Sequence, residues 1–258
     1  MSFVTTDDGV KLAYRFDGPE GAPVLMFSNS LGTDYDLWEA QLPALAPYRV
    51  LRYDTRGHGR SDAPGGEYVM ETLARDVLAL LDALRIDKVR YVGLSMGGAI
   101  GQWLGAHASD RLDRLVLANT GAFFGAPEIW QTRMETVAKG GMDAVVDGVI
   151  ERWFTPAYRQ ADPDAVGRIR AMVLKTPPQG YAGCCAALRD TDFRGLLPHV
   201  AAPTLVIGGL HDAASPPVRA EELAGAIPGA RIVMLDAAHL SAVEQPEAFN
   251  AALASFLG

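Results

Sequence analysis

Six apolar runs that do not alternate constrain this chain more than any other feature. APVLMFS, RVLRYD, KVRYVGL, RLVLANT, PTLVIGG and RIVMLD are hydrophobic on both faces of an extended backbone, as strands covered from both sides must be. Between several of them the period changes to that of helices, in YDLWEAQLPALA, METLARDVLALLDALR, MGGAIGQWLGAHA, VRAEELAGAI and PEAFNAALASFL. FVTT and VKLAYRF flank DDG near the start and add a hairpin. The spacing predicts an α/β fold, with a mostly parallel eight-stranded sheet and helices on both faces. A chain of 258 residues is long enough for one such domain carrying an insertion. The rhythm stops between residues 122 and 190, where GAFFGAPEIW, TVAKGGMDAVVDGVIERWF and ADPDAVGRIRAMVLK read as helices and loops. We expect a core of 1–121 and 191–258, with 122–190 as a helical cap inserted after strand six, over the carboxyl ends of the strands where open α/β sheets bind ligands. The competing reading is a long crossover with no role.

Within this frame VGLSMGGAIGQ, residues 92–102, puts Ser95 at a strand-to-helix corner. A residue turned so sharply has strained dihedrals, and side chains two positions away on either side would collide. Gly93 and Gly97 remove the collision, so the GxSxG spacing lifts a hydroxyl above the sheet at a helix N-terminus. A glycine-rich corner can instead cradle phosphate or allow close packing, but neither GxxxxGK[ST] nor GxGxxG is present.

Nucleophilic chemistry at Ser95 needs a base and an acid. VIGGLHDAASPP offers Asp212 in a loop after one strand, and MLDAAHLSAVEQP offers His239 just after the next. All three residues sit at carboxyl ends of strands, in the chain order Ser, Asp, His. His239 would take the serine proton and return it to the leaving group, and Asp212 would hold the imidazole tautomer. The developing oxyanion would be met by the N–H of Met96 at the helix start, with a second donor from the loop after APVLMFS.

Charge narrows the partners. A formal net charge of −8 opposes binding to nucleic acid or to an anionic membrane surface, so an anionic ligand needs a local basic pocket. Residues 122–190 carry eight basic and eight acidic side chains, leaving 15 basic and 23 acidic elsewhere, which makes the expected cap the least acidic part. No apolar run reaches the length of a membrane span, and MSFVTTDDGVKL lacks the basic and apolar regions of a signal peptide. A cytoplasmic location is therefore expected, and a homo-oligomer is compatible with it. Cys184 and Cys185 are adjacent, which suits neither a disulfide framework nor a metal site, and they are read as reduced core or pocket-wall residues.

With these residues in place the chain resembles the α/β-hydrolase family over nearly its whole length. Where that family carries HGxx nine residues before a tryptophan, NSLG stands here, with Asn29 nine residues before Trp38. The resemblance implies the N–H of Leu31 as the second oxyanion donor, and structural roles for Asp54, Arg56 and His58 in RYDTRGHGRSD. FSNSLGTDYDLW, VGLSMGGAIGQWL and LDAAHLSAVEQPEAF taken together are similar to the 3-oxoadipate enol-lactonases. That similarity implies hydrolysis of a small anionic lactone through an acyl-enzyme, without metal or organic cofactor. The substrate carboxylate would lie on the cap, with Trp130 and Arg133, one turn apart, as candidates. Other carboxylesterases, perhydrolases and C–C bond hydrolases share parts of the pattern, and a hydrolase-like lactone receptor is the non-enzyme alternative.

Overall fold

A computed structural model describes all residues, 1–258. The core elements are β1 (Ser2–Thr5), β2 (Lys11–Asp17), β3 (Val24–Ser28), β4 (Arg49–Tyr53), α1 (Met70–Ala83), β5 (Val89–Leu94), α2 (Met96–His107) and β6 (Leu112–Ala118). Five helices follow without a strand: α3 (Pro127–Gly140), α4 (Asp143–Trp153), α5 (Pro156–Ala161), α6 (Pro163–Lys175) and α7 (Pro178–Arg189). The chain then completes the sheet with β7 (Thr204–Gly209), α8 (Pro217–Ala226), β8 (Arg231–Leu235), α9 (Ser241–Glu244) and α10 (Pro246–Leu257).

The eight strands form one sheet in the order β1-β2-β4-β3-β5-β6-β7-β8. β1–β2 and β2–β4 are antiparallel, and every pairing from β4 onward is parallel. The expected mostly parallel α/β sheet is what the chain forms. Every residue of β7 is buried, because helices cover both faces. α1 turns Leu73, Ala74, Val77, Leu80 and Leu81 inward, the helical stripe whose large side chains each contribute about 1.5–3 kcal/mol on burial. YDLWEAQLPALA differs from the expected helix of ordinary pitch: Tyr35–Leu45 is a tighter 3-10 segment containing Pro43, whose ring and missing N–H disfavour α-helical bonding.

α3–α7 return to the core where they left it. Phe123 and Asp192 form an antiparallel bridge, and Phe193 N–H donates to Ala122 O at 2.7 Å. α7 rests on the loop after β4 so closely that a Cβ on Gly180 would lie 2.2 Å from Gly57 O. Any side chain there would push the two layers apart.

Candidate active site

Ser95 sits between β5 and α2 with φ 56° and ψ −111°, a conformation that costs a non-glycine residue about 1–3 kcal/mol. The elbow is over-determined by its neighbours. Ser95 N–H donates to Ala118 O at 2.9 Å, and Thr120 Oγ1 donates to Ser95 O at 2.7 Å. A Cβ on Gly93 would lie 2.1 Å from Gly97 O, and one on Gly97 would lie 2.3 Å from Ser28 O. The two glycines are thus a steric requirement. The Ser95 hydroxyl has no hydrogen-bond partner within the protein, and the residue is 9% exposed.

Asp212 and His239 meet. His239 Nδ1 lies 2.9 Å from Asp212 Oδ2 and 3.1 Å from Oδ1. Both residues are buried. The acid is held from three further directions. Oδ1 accepts the N–H groups of Ala214 and Ser215 at 2.8 and 2.7 Å, and Oδ2 accepts Asn119 Nδ2 at 3.1 Å. With Nδ1–H committed to the carboxylate, Nε2 is left as the basic nitrogen. No hydrogen bond joins Ser95 Oγ to His239 in this structure, so the acid–histidine half of the expected triad is formed and the serine–histidine half is open. Such links commonly tighten only with substrate bound.

The two expected oxyanion donors are unspent. Neither Leu31 N–H nor Met96 N–H donates a hydrogen bond, whereas the amides beside them are committed: Gly97 N–H to Asn29 O at 3.0 Å and Gly32 N–H to His58 Nε2 at 2.8 Å. Asn29 explains the nine-residue spacing to Trp38. Its Oδ1 accepts Trp38 Nε1 at 2.7 Å while its Nδ2 donates to Tyr53 O at 2.8 Å, so the side chain fixes this loop from below.

His58 is more than packing. Burial pushes its imidazole down to about 4, and the neutral ring accepts from the residue next to Leu31. Between that value and the unfolded pKa near 6.5, the unfolded chain binds a proton that the native one does not, so this histidine's contribution is complete above pH 6.5 and is lost on acidification. We expect His58 to account for about 2 kcal/mol of lost stability between pH 7.5 and 5. Buried Asp54, pushed up to about 6 by desolvation, acts in the opposite sense over the same range. Denaturant melts of His58→Gln and wild type across this range check it: the variant should lose less stability on acidification. Arg56 is fixed by Asp76 through two contacts of 2.6 Å. Cys184 and Cys185 are free and buried.

Trp130 and Arg133 line a cavity of 440 Å³ with Arg152, Trp153, Arg219 and the Ala213–Ser215 loop after the acid. Its wall contains three arginines and no acidic residue. Arg219 pairs with Glu222, whereas Arg133 and Arg152 have no carboxylate partner. Burial and the neighbouring Arg133 charge hold the Arg152 guanidinium below its usual pKa. Arg133 also stacks on Trp130, 5.0 Å from the ring centroid, so the packing role and the cavity-lining role coexist. Trp153 connects the cavity to the histidine, its ring 6.0 Å from that of His239. Ser95 does not line the cavity. A larger cavity of 730 Å³ on the far side of Arg152 contains Glu151, Asp236 and Glu244 and suits an anion poorly.

Sequence reasoning missed Asn119, Arg152 and Trp153. Asn119 is the first residue after β6, at the level of Ser95, and the adjacent Arg152 and Trp153 repeat the arginine–tryptophan pairing of α3. Those signals were present in the chain, but only the packing of α4 beside the Asp212 loop gives the second pair its meaning.

Comparison with known proteins places the chain in a family. Residues 23–246 match the model of the alpha/beta hydrolase fold family. The chain is 39% identical to 3-oxoadipate enol-lactonase 2 of Acinetobacter baylyi, covering 96% of this chain and 93% of that one. It superposes on the crystal structure of the enol-lactonase from Burkholderia xenovorans with a TM-score of 0.97 and 44% identity, covering 99% of each chain. It is also similar to a thermophilic esterase from Thermogutta terrifontis, with a TM-score of 0.92 and 33% identity over 99% of this chain and 97% of that one.

Proposed function

This chain belongs to the α/β-hydrolase fold family, and from that premise we propose that it is a serine hydrolase that opens the ring of 3-oxoadipate enol-lactone. The observation that carries the choice of substrate is the arginine-lined cavity without acidic residues beside Asp212, in a chain whose net charge is −8. A carboxylate is the ligand such a site favours, because two guanidiniums left without a carboxylate partner gain charge-assisted hydrogen bonds from it. The similarity to two enol-lactonases supports the same reading.

In this reading Ser95 Oγ attacks the lactone carbonyl as its proton passes to His239 Nε2, and Asp212 stabilises the imidazolium. The oxyanion gathers charge at the unspent N–H groups of Leu31 and Met96, each donor contributing about 3–4 kcal/mol to the transition state. Collapse breaks the bond to the ring oxygen, which leaves as an enolate and takes the proton from His239. Water, deprotonated by His239, then cleaves the acyl-enzyme and frees Ser95. The released enol tautomerises to the ketone, a weaker nucleophile, which disfavours reclosure. No step draws on a group outside the chain and water. Residues 122–190 act as the cap, with Arg133 and Trp130 on its α3 and Arg152 on its α4 holding the free carboxylate.

The test is hydrolysis of the enol-lactone, followed by loss of its ultraviolet absorbance, beside a neutral short-chain aryl ester. The lactone should be the faster substrate, and fast ester cleavage with an untouched lactone would move the protein to the esterases. Arg133→Ala should raise KM for the lactone about 10- to 100-fold with kcat nearly unchanged, the loss of one charged contact made equally in ground and transition states. An unchanged KM would remove Arg133 from the site.

A further inference from the structure

Both backbone amides that flank His239 are held from the junction between α4 and α5. On one side, Leu240 N–H donates to Trp153 O at 3.1 Å. On the other, Ala238 N–H donates to Glu244 Oε2 at 3.0 Å, and Glu244 Oε1 accepts the hydroxyl of Thr155. Thr155 N–H also approaches Glu244 Oε2 at 3.4 Å, and Tyr158 OH donates to Val243 O at 3.1 Å. Glu244 is buried and forms no ion pair, so its carboxylate is spent wholly on joining the junction to the histidine loop. Arg152 lies one residue before Trp153 and three before Thr155. A ligand on Arg152 and the base on the β8–α9 loop are thus separated by a few bonded contacts.

We infer that Glu244 and Thr155 are positioning residues: they form a strap through which seating of a substrate carboxylate on the cap aligns His239. The inference rests on the carboxylate-binding reading above. Part of the binding energy from the end of the substrate that does not react lowers KM, and the part transmitted from Arg152 through the strap would be used to hold the base in line, raising kcat. Substrates lacking the carboxylate leave the junction unloaded and draw no benefit from it.

Two esters of equal chain length separate the possibilities: 4-nitrophenyl hydrogen adipate, which carries a terminal carboxylate, and neutral 4-nitrophenyl hexanoate. Thr155→Val cuts only the cap end of the strap, although it also removes the hydroxyl that accepts Tyr158 N–H at 3.2 Å and caps α5. Glu244→Ala cuts the strap while leaving that cap intact, so a loss common to both variants belongs to the strap. We expect kcat for the adipate ester to fall about tenfold or more in both variants with KM within about twofold, a displacement of the base with binding preserved. For Thr155→Val the hexanoate kcat should stay within about twofold of wild type, and Thr155→Ser should restore the adipate rate, since it keeps the hydroxyl. Thermal melts confirm that each variant is folded at the assay temperature. Equal losses on both esters in Thr155→Val, or an adipate kcat that survives both substitutions, would overturn the strap. If wild-type KM does not distinguish the two esters, the carboxylate reading fails first and takes the inference with it, an outcome visible before any variant is made.

Discussion

Ser95→Ala should reduce kcat for the lactone by about 10⁴- to 10⁶-fold, about 5–8 kcal/mol of barrier, while leaving the protein folded. Nothing else at the site can replace the hydroxyl. The two reduced cysteines are buried, and the Cys185 thiol is pushed up to about 12 by burial, so neither supplies a thiolate. Alanine keeps the Cβ and therefore the same elbow strain, and the hydroxyl it removes has no partner within the protein, so the melting temperature should shift little. Residual turnover above the uncatalysed rate would measure what Leu31, Met96 and substrate binding contribute without a nucleophile. Single-turnover mixing with an aryl ester adds a second readout: the burst of phenolate that marks acylation should be absent in Ser95→Ala. A variant that retained more than about a hundredth of kcat would show that Ser95 is not the nucleophile, because losses of this class are far larger.

Asp212→Asn should cost about 10⁴ in kcat, about 5.5 kcal/mol, with KM little changed. The reason lies in the hydrogen bonds around the acid. Oδ1 is committed to the N–H groups of Ala214 and Ser215, so an asparagine must keep its carbonyl there and direct its NH₂ toward His239. The imidazole accepts from that NH₂, at the shorter of its two contacts with residue 212, with Nδ1 unprotonated, which places the proton on Nε2, the nitrogen that must be free to receive the serine proton. The new NH₂ would also face Asn119 Nδ2, the donor 3.1 Å from Oδ2 in the native site. A pH–rate profile checks the origin of the loss: the remaining activity of Asp212→Asn should rise toward high pH, where hydroxide supplants the base, instead of levelling near neutrality. An unaltered profile with a small loss would show that another carboxylate orients His239.

Much of the site was legible because its signals are local. The corner at Ser95 could be read from Gly93 and Gly97, since the collisions they relieve involve residues within a few positions of each other or the strand alongside. Met96 followed from the helix start, and Leu31 from resemblance, with its N–H left unspent here. Asp212 and His239 were readable because both follow apolar runs, and parallel strands deliver their ends to one edge of the sheet. Asn119, Arg152 and Glu244 carry no comparable mark. Asn119 acts on Asp212 across 93 positions, and Glu244 reaches Thr155 across 89. An asparagine after a strand, or a glutamate in a short helix, reads as an ordinary surface residue until the partner is placed.

The order of strand-like and helix-like periods therefore determined the α/β class, the edge of the sheet to which the candidate residues are delivered, and the candidates proposed as nucleophile, base and acid, because each depends on residue type and near-neighbour sterics. The tertiary structure alone decided which arginines share a cavity without acids, which amides remain free to meet an oxyanion, and how the α4–α5 junction is bonded to the amides on either side of His239. Those are relations between side chains and backbone groups from distant segments. Their energies arise from desolvation and from hydrogen bonds completed or left open, and these exist only once the chain is packed.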